Sequence, residues 1–442
     1  MIKTLIRSWQ VPELRKKLLF TIFIIVIFRI GSVIPVPFLN VDALAGMMGS
    51  LADTGGAILA YLDTLSGGAF AQATIFAMSV SPYINASIVI QLMTVALPYL
   101  ENLQKEGEEG RKKLNAITRY LTIILGLMQG TAFYVYLRNG SYMGESIVRY
   151  TTGFAGWFAA IVIILSFTAG TALMMWLGEQ INDKGIGNGV SILMFAGIVS
   201  RMPALISKLV LYFSLAVESP ENFGKYYVFV PLFVIMFFFM MWVIVFMNDA
   251  ERRVPIQYAK RTVGRRMYAG QNTHMPLKVG ISGVMPVIFA SSILAIPNAV
   301  NFFAHPQGWL KVVLDSLSVN GLAYTIVYFF LIMMFAYFYV AITYNPIEMA
   351  NNLRQSNGVI PGIRPGKPTS DYLAKILSKV TFVGALFLAF IALLPIGFAA
   401  FTGMHNLSMG GTSIIIMVGV ALETVKQMES QLMMRHYKGF LD

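Results

Sequence analysis

Ser81-Pro82-Tyr83-Ile84-Asn85-Ala86-Ser87 and, far down the chain, Pro286-Val287-Ile288-Phe289-Ala290-Ser291 share the pattern P-x-I-x-A-S inside long apolar stretches. A helix needs about 20 mostly apolar residues to cross the hydrocarbon core of a bilayer. Ten stretches of that kind stand out, at 18–37, 72–98, 116–137, 154–178, 189–208, 228–247, 278–300, 322–345, 379–400 and 411–428. The two motif copies fall in the second and seventh. A second pair lies at the same offset: Gly189-Val190-Ser191-Ile192 opens the fifth span and Gly411-Thr412-Ser413-Ile414 the tenth, sharing G-x-S-I. Either match arises easily by chance in apolar sequence, but two at one offset argue for an internal repeat. Because five spans separate the copies, the halves cross in opposite senses, an arrangement that places a pathway between them near the midplane. The fold class expected is an all-α integral membrane protein of ten transmembrane helices in two pseudo-symmetric inverted halves, 1–210 and 211–442.

Composition supports a lipid solvent. The 442 residues are 57% hydrophobic and 12% charged, about half the ~25% charge of an ordinary soluble domain. Lys and Arg number 33 against 21 Asp and Glu, giving +12 and directing attention to anionic partners. The basic residues test the span count, because cytoplasmic loops collect them. With both termini cytoplasmic, they concentrate before span 1, in 99–119, 248–278 and 346–379, and after span 10. The outer loops hold only Arg138, Arg149, Arg201, Lys208, Lys225 and Lys311, and Arg29 lies within the first span. That span follows a basic start without a small-residue cleavage site, so it reads as retained rather than as a removed signal. Residues 1–11 read either as a short surface helix or as a frayed tail. The absence of cysteine excludes disulfides and thiolate metal sites but names no compartment.

Chemistry is scarce in the spans. His274, His305, His405 and His436 all fall in loops or at the end, and no H-E-x-x-H occurs. Embedded acid–base or metal catalysis would require such groups inside the membrane. The chain therefore reads as no enzyme, with no cofactor and no metal. Gly185-Ile186-Gly187-Asn188-Gly189 lacks the Lys and Ser/Thr of a P-loop and follows a helix, so it reads as a tight hairpin and helix start. Arg29 reads as structural, either snorkelling to the interface or bonded to carbonyls freed near Pro35 and Pro37. Val80, Ile84, Ser87 and Gln91 share one face of span 2, apolar at one end and polar at the other. An apolar constriction there would hold back water by dewetting; ordinary packing is the alternative.

The basic loops differ in character. In 248–278, residues 252–258 alternate like a hairpin strand, predicting a finger that presents Arg252, Arg253, Lys260, Arg261, Arg265 and Arg266. In 346–379, Pro361-Gly362-Ile363-Arg364-Pro365-Gly366-Lys367-Pro368 stiffens a turn displaying Arg364 and Lys367. Such charges suit phosphate backbones or acidic protein surfaces; setting topology and holding anionic lipid is the other reading.

At these residues the chain resembles the SecY family, the channel subunit of the bacterial Sec translocon. The similar stretches include Phe28-Arg29-Ile30-Gly31, Ile34-Pro35-Val36-Pro37, Ser66-Gly67-Gly68-Ala69, Ser81 through Ser87, Trp176-Leu177-Gly178-Glu179-Gln180, Gly185 through Gly189, Tyr258-Ala259-Lys260-Arg261, Pro276-Leu277-Lys278-Val279, Pro361 through Gly366 and Gly411-Thr412-Ser413. The resemblance implies a clamshell around an hourglass pore in the bacterial cytoplasmic membrane, through which unfolded secretory polypeptide passes. It implies a pore ring of Val80, Ile84, Val190, Met194, Ile288 and Ile416, where Val80, Val190 and Met194 depart from the family's usual isoleucine. It implies a plug at about 57–68 with Ile58, Leu59, Leu62, Leu65, Gly67 and Gly68. A lateral gate between spans 2 and 7 would carry Ser87, Gln91, Ser291 and Ser292. The partners implied are SecE-like and SecG-like small subunits, the SecA ATPase, the ribosome, a signal-sequence-bearing polypeptide and anionic lipids. The inverted repeat taken alone also suits a secondary transporter of a small solute.

Overall fold

The computed structural model describes residues 6, 8–53, 63, 66–142, 145–218, 224–258, 261–263, 266–268, 272–280, 283–304, 308–317, 321–403 and 411–438. Among them, seven helical stretches are long and apolar enough to cross a membrane, with Gly189–Glu218 and Leu322–Gln355 each counted as one. Three further crossings complete the ten. The first is α1 (Pro12–Gly31), whose charges are Glu13, Arg15, Lys16, Lys17 and Arg29. The second is α3 (Ser81–Ala96), which meets α4 (Pro98–Lys105) at a bend of 100°. The third is α10 (Met285–Ala304), with Pro297 inside it.

Between α1 and α3, α2 (Val41–Asp53) lies beside a short hairpin of β1 (Ser141–Tyr142) and β2 (Glu145–Ser146). The long helices of the first half are α5 (Glu108–Asn139), α6 (Gly153–Lys184) and the broken pair α7 (Gly189–Ser200) and α8 (Met202–Glu218). In the second half, α9 (Tyr226–Asp249) precedes α10; α11 (Trp309–Ser316), α12 (Leu322–Thr343), α13 (Pro346–Gln355), α14 (Lys367–Thr402) and α15 (Gly411–Lys438) follow.

Sequence positions explain these boundaries. Pro82 and Pro286 each occupy the second residue of a helix, where a missing N–H costs nothing. Gly189 and Gly411 each open one. The two repeated motifs therefore sit at equivalent helix starts in both halves. The Gly185–Gly189 hairpin is as expected: Gly187 takes φ +88°, and the Asn188 side chain accepts from the Ser191 N–H at 3.3 Å, capping α7.

Span 2 differs from the sequence expectation. Residues 72–80 are not helical; the helix begins only at Ser81. Ala73 and Ser79 adopt left-handed backbone at φ +43° and +51°, which a helix cannot accommodate. The segment is instead pinned to the turn after α1: the Val36 N–H donates to the Ala73 carbonyl and the Ile75 N–H to the Ile34 carbonyl, both at 3.0 Å. Irregular backbone at such depth is tolerated where protein satisfies it.

Packing follows membrane rules, in which close backbone approach matters more than escape from water. Thr118, Thr122, Gly126 and Gly130 form a buried stripe along α5 at every fourth residue. It packs on α6, where Phe167, Thr168 and Thr171 are buried. Large apolar side chains face outward instead, among them Phe238, Trp242, Phe330 and Phe390. Such a surface requires a nonaqueous surround. Helix α15 is the interior element: 67% of its apolar window is buried, against 28% for α9 and for the span starting at Leu322.

Leu14 of α1, Ile186 and Met428 of α15 pack in one cluster, and the Lys426 ammonium reaches Asp249 at the end of α9 at 2.8 Å. These contacts gather the basic loops at one end of the bundle. At the other end α2, the turn after α1 and the β1–β2 region share a separate core around Leu44, Phe133 and Ile147.

Candidate functional site

The starts of α3, α7, α10 and α15 converge on the central apolar cluster. Val80, Val190, Met194, Ile288 and Ile416 are all buried in it, and Ile84 packs against it half-buried. That cluster runs through most of the bundle, so the six share its apolar surroundings with residues of nearly every span. Ile84 and Ile288 are each the fourth residue of their helix, and Met194 and Ile416 each the sixth. Val80 precedes its helix as the N-cap, yet its carbonyl accepts from the Ile84 N–H at 3.0 Å, so the two continue one face. Down that face Ser87 is half-buried and Gln91 exposed, the expected passage from apolar to polar. On α10, Ser291 is buried and donates to the Ile288 carbonyl at 2.9 Å, while Ser292 is half-buried.

The irregular segment leading into α3 joins the same cluster through Ala69 and Phe76. Ile58, Leu59, Leu62 and Leu65 lie outside the described residues. Gly67 and Gly68 take φ of +69° and +93°, which turns the chain back toward α3. The Gly67 carbonyl accepts from Arg29 Nη1 and from Ser200 Oγ, each at 3.3 Å. Arg29 is therefore structural, as expected, but its partner is this segment rather than the carbonyls near Pro35 and Pro37. Asp63 pairs with Arg201. Sequence reading missed this pair, having counted Arg201 only as an outer-loop cation. One signal was present: opposite charges in two otherwise apolar stretches.

At the basic end, β3 (Glu251–Tyr258) pairs antiparallel with β6 (Asn272–Lys278), and a smaller hairpin of β4 (Arg261–Val263) and β5 (Arg266–Tyr268) lies between them in sequence. The finger is as expected. Unforeseen is its other edge: β7 (Gly358–Val359), from the second basic loop, pairs with β3. Val254, Ile256 and Leu277 bury against Ala350, Leu353, Ile360, Leu373 and Leu377, so the two loops share one core. Arg252, Arg253, Arg364 and Lys367 are exposed around it, with Arg253 bonded to Glu251 at 2.7 Å. Arg261 and Arg266 belong to the small hairpin. Lys260 and Arg265 lie outside the described residues. Among the described residues, no group of three or more His, Asp or Glu is placed to hold a metal ion.

Residues 74–425 match the family model described as SecY. The chain belongs to the SecY family. It is 42% identical to the protein translocase subunit SecY of Streptomyces coelicolor, over 100% of both chains. Its fold matches a structure described as "The plug domain of the SecY protein stablizes the closed state of the translocation channel and maintains a membrane seal", with a TM-score of 0.60 and 17% identity, covering 94% of this chain and 92% of that one. It also matches Sec61 in the canine ribosome–channel complex from the endoplasmic reticulum, with a TM-score of 0.58 and 16% identity over 94% and 92% of the chains. As a SecY-family member the chain is a multi-pass membrane protein and a channel subunit of the protein-translocation machinery. Ten spans in two five-span halves agree with the fold of those channel structures.

Proposed function

We propose that unfolded secretory polypeptides cross the bacterial cytoplasmic membrane between the halves 1–210 and 211–442, and that hydrophobic signal sequences leave sideways between α3 and α10. The observation that carries this reading is the burial of Val80, Val190, Met194, Ile288 and Ile416 in one apolar cluster at the starts of helices from both halves. Apolar side chains at a constriction hold back water and ions without binding the passing chain. Ile84 completes the ring, and Ser87, Gln91, Ser291 and Ser292 line the lateral exit. The segment containing Gly67 and Gly68 serves as the plug, to which Ile58, Leu59, Leu62 and Leu65 also belong by sequence. The chain itself performs no bond chemistry; force comes from a partner.

That partner docks on the shared basic sheet. Arg252, Arg253, Lys260, Arg261, Arg265, Arg266, Arg364 and Lys367 offer guanidinium forks and ammonium groups to an acidic protein face or to RNA phosphate. SecA and the ribosome fit those two chemistries. The location of the family's relative in a ribosome–channel complex supports the second. SecE-like and SecG-like subunits and anionic lipids would cover the outward apolar faces and basic rim, with both termini cytoplasmic.

A photocrosslinking residue in place of Ile288, with a stalled secretory chain engaged, tests the route. Crosslinks to the stalled chain are expected from position 288 and not from the lipid-facing position of Phe390. Crosslinks from position 390 alone would refute the central path.

A further inference from the structure

The polar groups around Asp63 form a small cluster in otherwise apolar surroundings. The Asp63 side chain is 5% exposed as a residue and its carboxylate makes two kinds of contact. Oδ2 pairs with Arg201 Nη2, and Oδ1 accepts from the Ala71 N–H at 2.9 Å. The Asp63 carbonyl accepts from the Gly68 N–H at 2.8 Å and from Ser66 Oγ at 3.1 Å. Asp63 thus organises its own turn while reaching a distant helix. Arg201 sits at the break between α7 and α8, beside Ser200, whose hydroxyl holds the Gly67 carbonyl. The third contact, from Arg29, comes from α1.

This arrangement is not the cheapest way to immobilise a segment. The pair is buried on its Asp63 side, 7% exposed, and part-buried at Arg201, 28% exposed; the buried portion recovers its desolvation cost only when its remaining donors and acceptors are satisfied. Arg201 Nε is buried with no hydrogen-bond partner among the described residues. Apolar contact would fix the turn more firmly. What an ion pair offers instead is two separated states: paired when dry, or apart and hydrated when water enters, with the half-open state disfavoured.

We propose that Asp63 and Arg201 are positioning residues that latch the turn at 66–71 onto the α7–α8 break, while Arg29 and Ser200 seat the Gly67 carbonyl. Helix α7 carries Val190 and Met194, so the latch ties the turn to the same helix that contributes to the apolar waist. A chain wide enough to displace α7 also draws Arg201 away from Asp63, and water reaching the separated charges keeps the turn released. The inference rests on the channel reading for its purpose, but the contacts it invokes do not.

The chain contains no cysteine, so Ala69→Cys supplies a single reporter at a buried site within the turn. The full-length protein carrying it is reconstituted in liposomes and labelled with a membrane-impermeant maleimide. Asp63→Asn or Arg201→Met should raise the labelling rate about tenfold or more, as loss of one partner leaves the other charge unpaired. Arg201→Lys, which keeps the charge, should label close to the rate of the reporter alone; a purely steric role would make Lys and Met at position 201 label alike. Unchanged labelling in Asp63→Asn and Arg201→Met overturns the latch, as does an Arg201→Lys variant that labels as fast as Arg201→Met. Small-ion conductance of the same liposomes separates the two readings. Faster labelling without leak leaves the latch standing and removes the turn from the seal. Leak without faster labelling overturns the latch.

Discussion

Replacing Ile256 by alanine should loosen both basic loops, not only the one it belongs to. Ile256 is 4% exposed on β3, with β6 paired along one edge and β7 along the other. Its Cγ2 lies 3.1 Å from where a Cβ on Gly358 would stand, so its side chain fills the space against the second loop. Truncation of a buried isoleucine to alanine costs about 2–5 kcal/mol, depending on how far neighbours collapse into the gap. Leu353 and Tyr258 also border Gly358 and can move into part of the space, which favours the lower end, about 2–3 kcal/mol. At 1.4 kcal/mol per decade, the open population of the sheet rises roughly 30- to 150-fold. Hydrogen exchange of peptides covering 272–278 and 353–363 reads that change directly, and both should lose protection by similar factors. Arg252→Ala, exposed on the same strand, should shift either by less than about 0.5 kcal/mol. If exchange accelerates at 272–278 while 353–363 stays protected, the loops are independent units and the shared-core argument is wrong.

Arg364 is exposed and makes no side-chain ion pair among the described residues, so Arg364→Glu should leave folding within about 0.5 kcal/mol of the parent. Partner-driven translocation should fall severely, since reversing a charge at an interface costs on the order of several kcal/mol; undiminished transport into membrane vesicles would reject the docking assignment. Ile416→Asn puts an amide where a side chain is 1% exposed, at a cost of about 1–3 kcal/mol if its groups stay unsatisfied. Reconstituted channels carrying it should pass small ions at rest, and an ion-tight variant would argue that position 416 lies outside the constriction.

Much of this was legible from residue order. Apolar runs located the spans because a bilayer demands roughly 20 such residues per crossing, and the four motif starts coincide with helix starts because Pro and Gly act on the local backbone. The alternation at 252–258 matches β3. Hydropathy overestimates the length of span 2 because it reports solvent preference and says nothing of backbone shape: most of 73–80 is buried, yet it follows turns stabilised by the chain after α1.

Other features depend on residues that meet only after folding. Asp63 and Arg201 lie 138 positions apart, and each alone is an isolated charge whose partner no local pattern names. The strand at Gly358–Val359 is too short to show a period, and its pairing with Gln257 and Tyr258 exists only because α13 and α14 carry it to the edge of β3. Solvent preference and turn chemistry are properties of neighbouring residues, and so they set where this chain enters and leaves the membrane. The partner of a buried charge and the edge that a strand finds are set by which helices pack together, and for this channel subunit those are the contacts that hold the turn beside the waist and join the two basic loops into one surface.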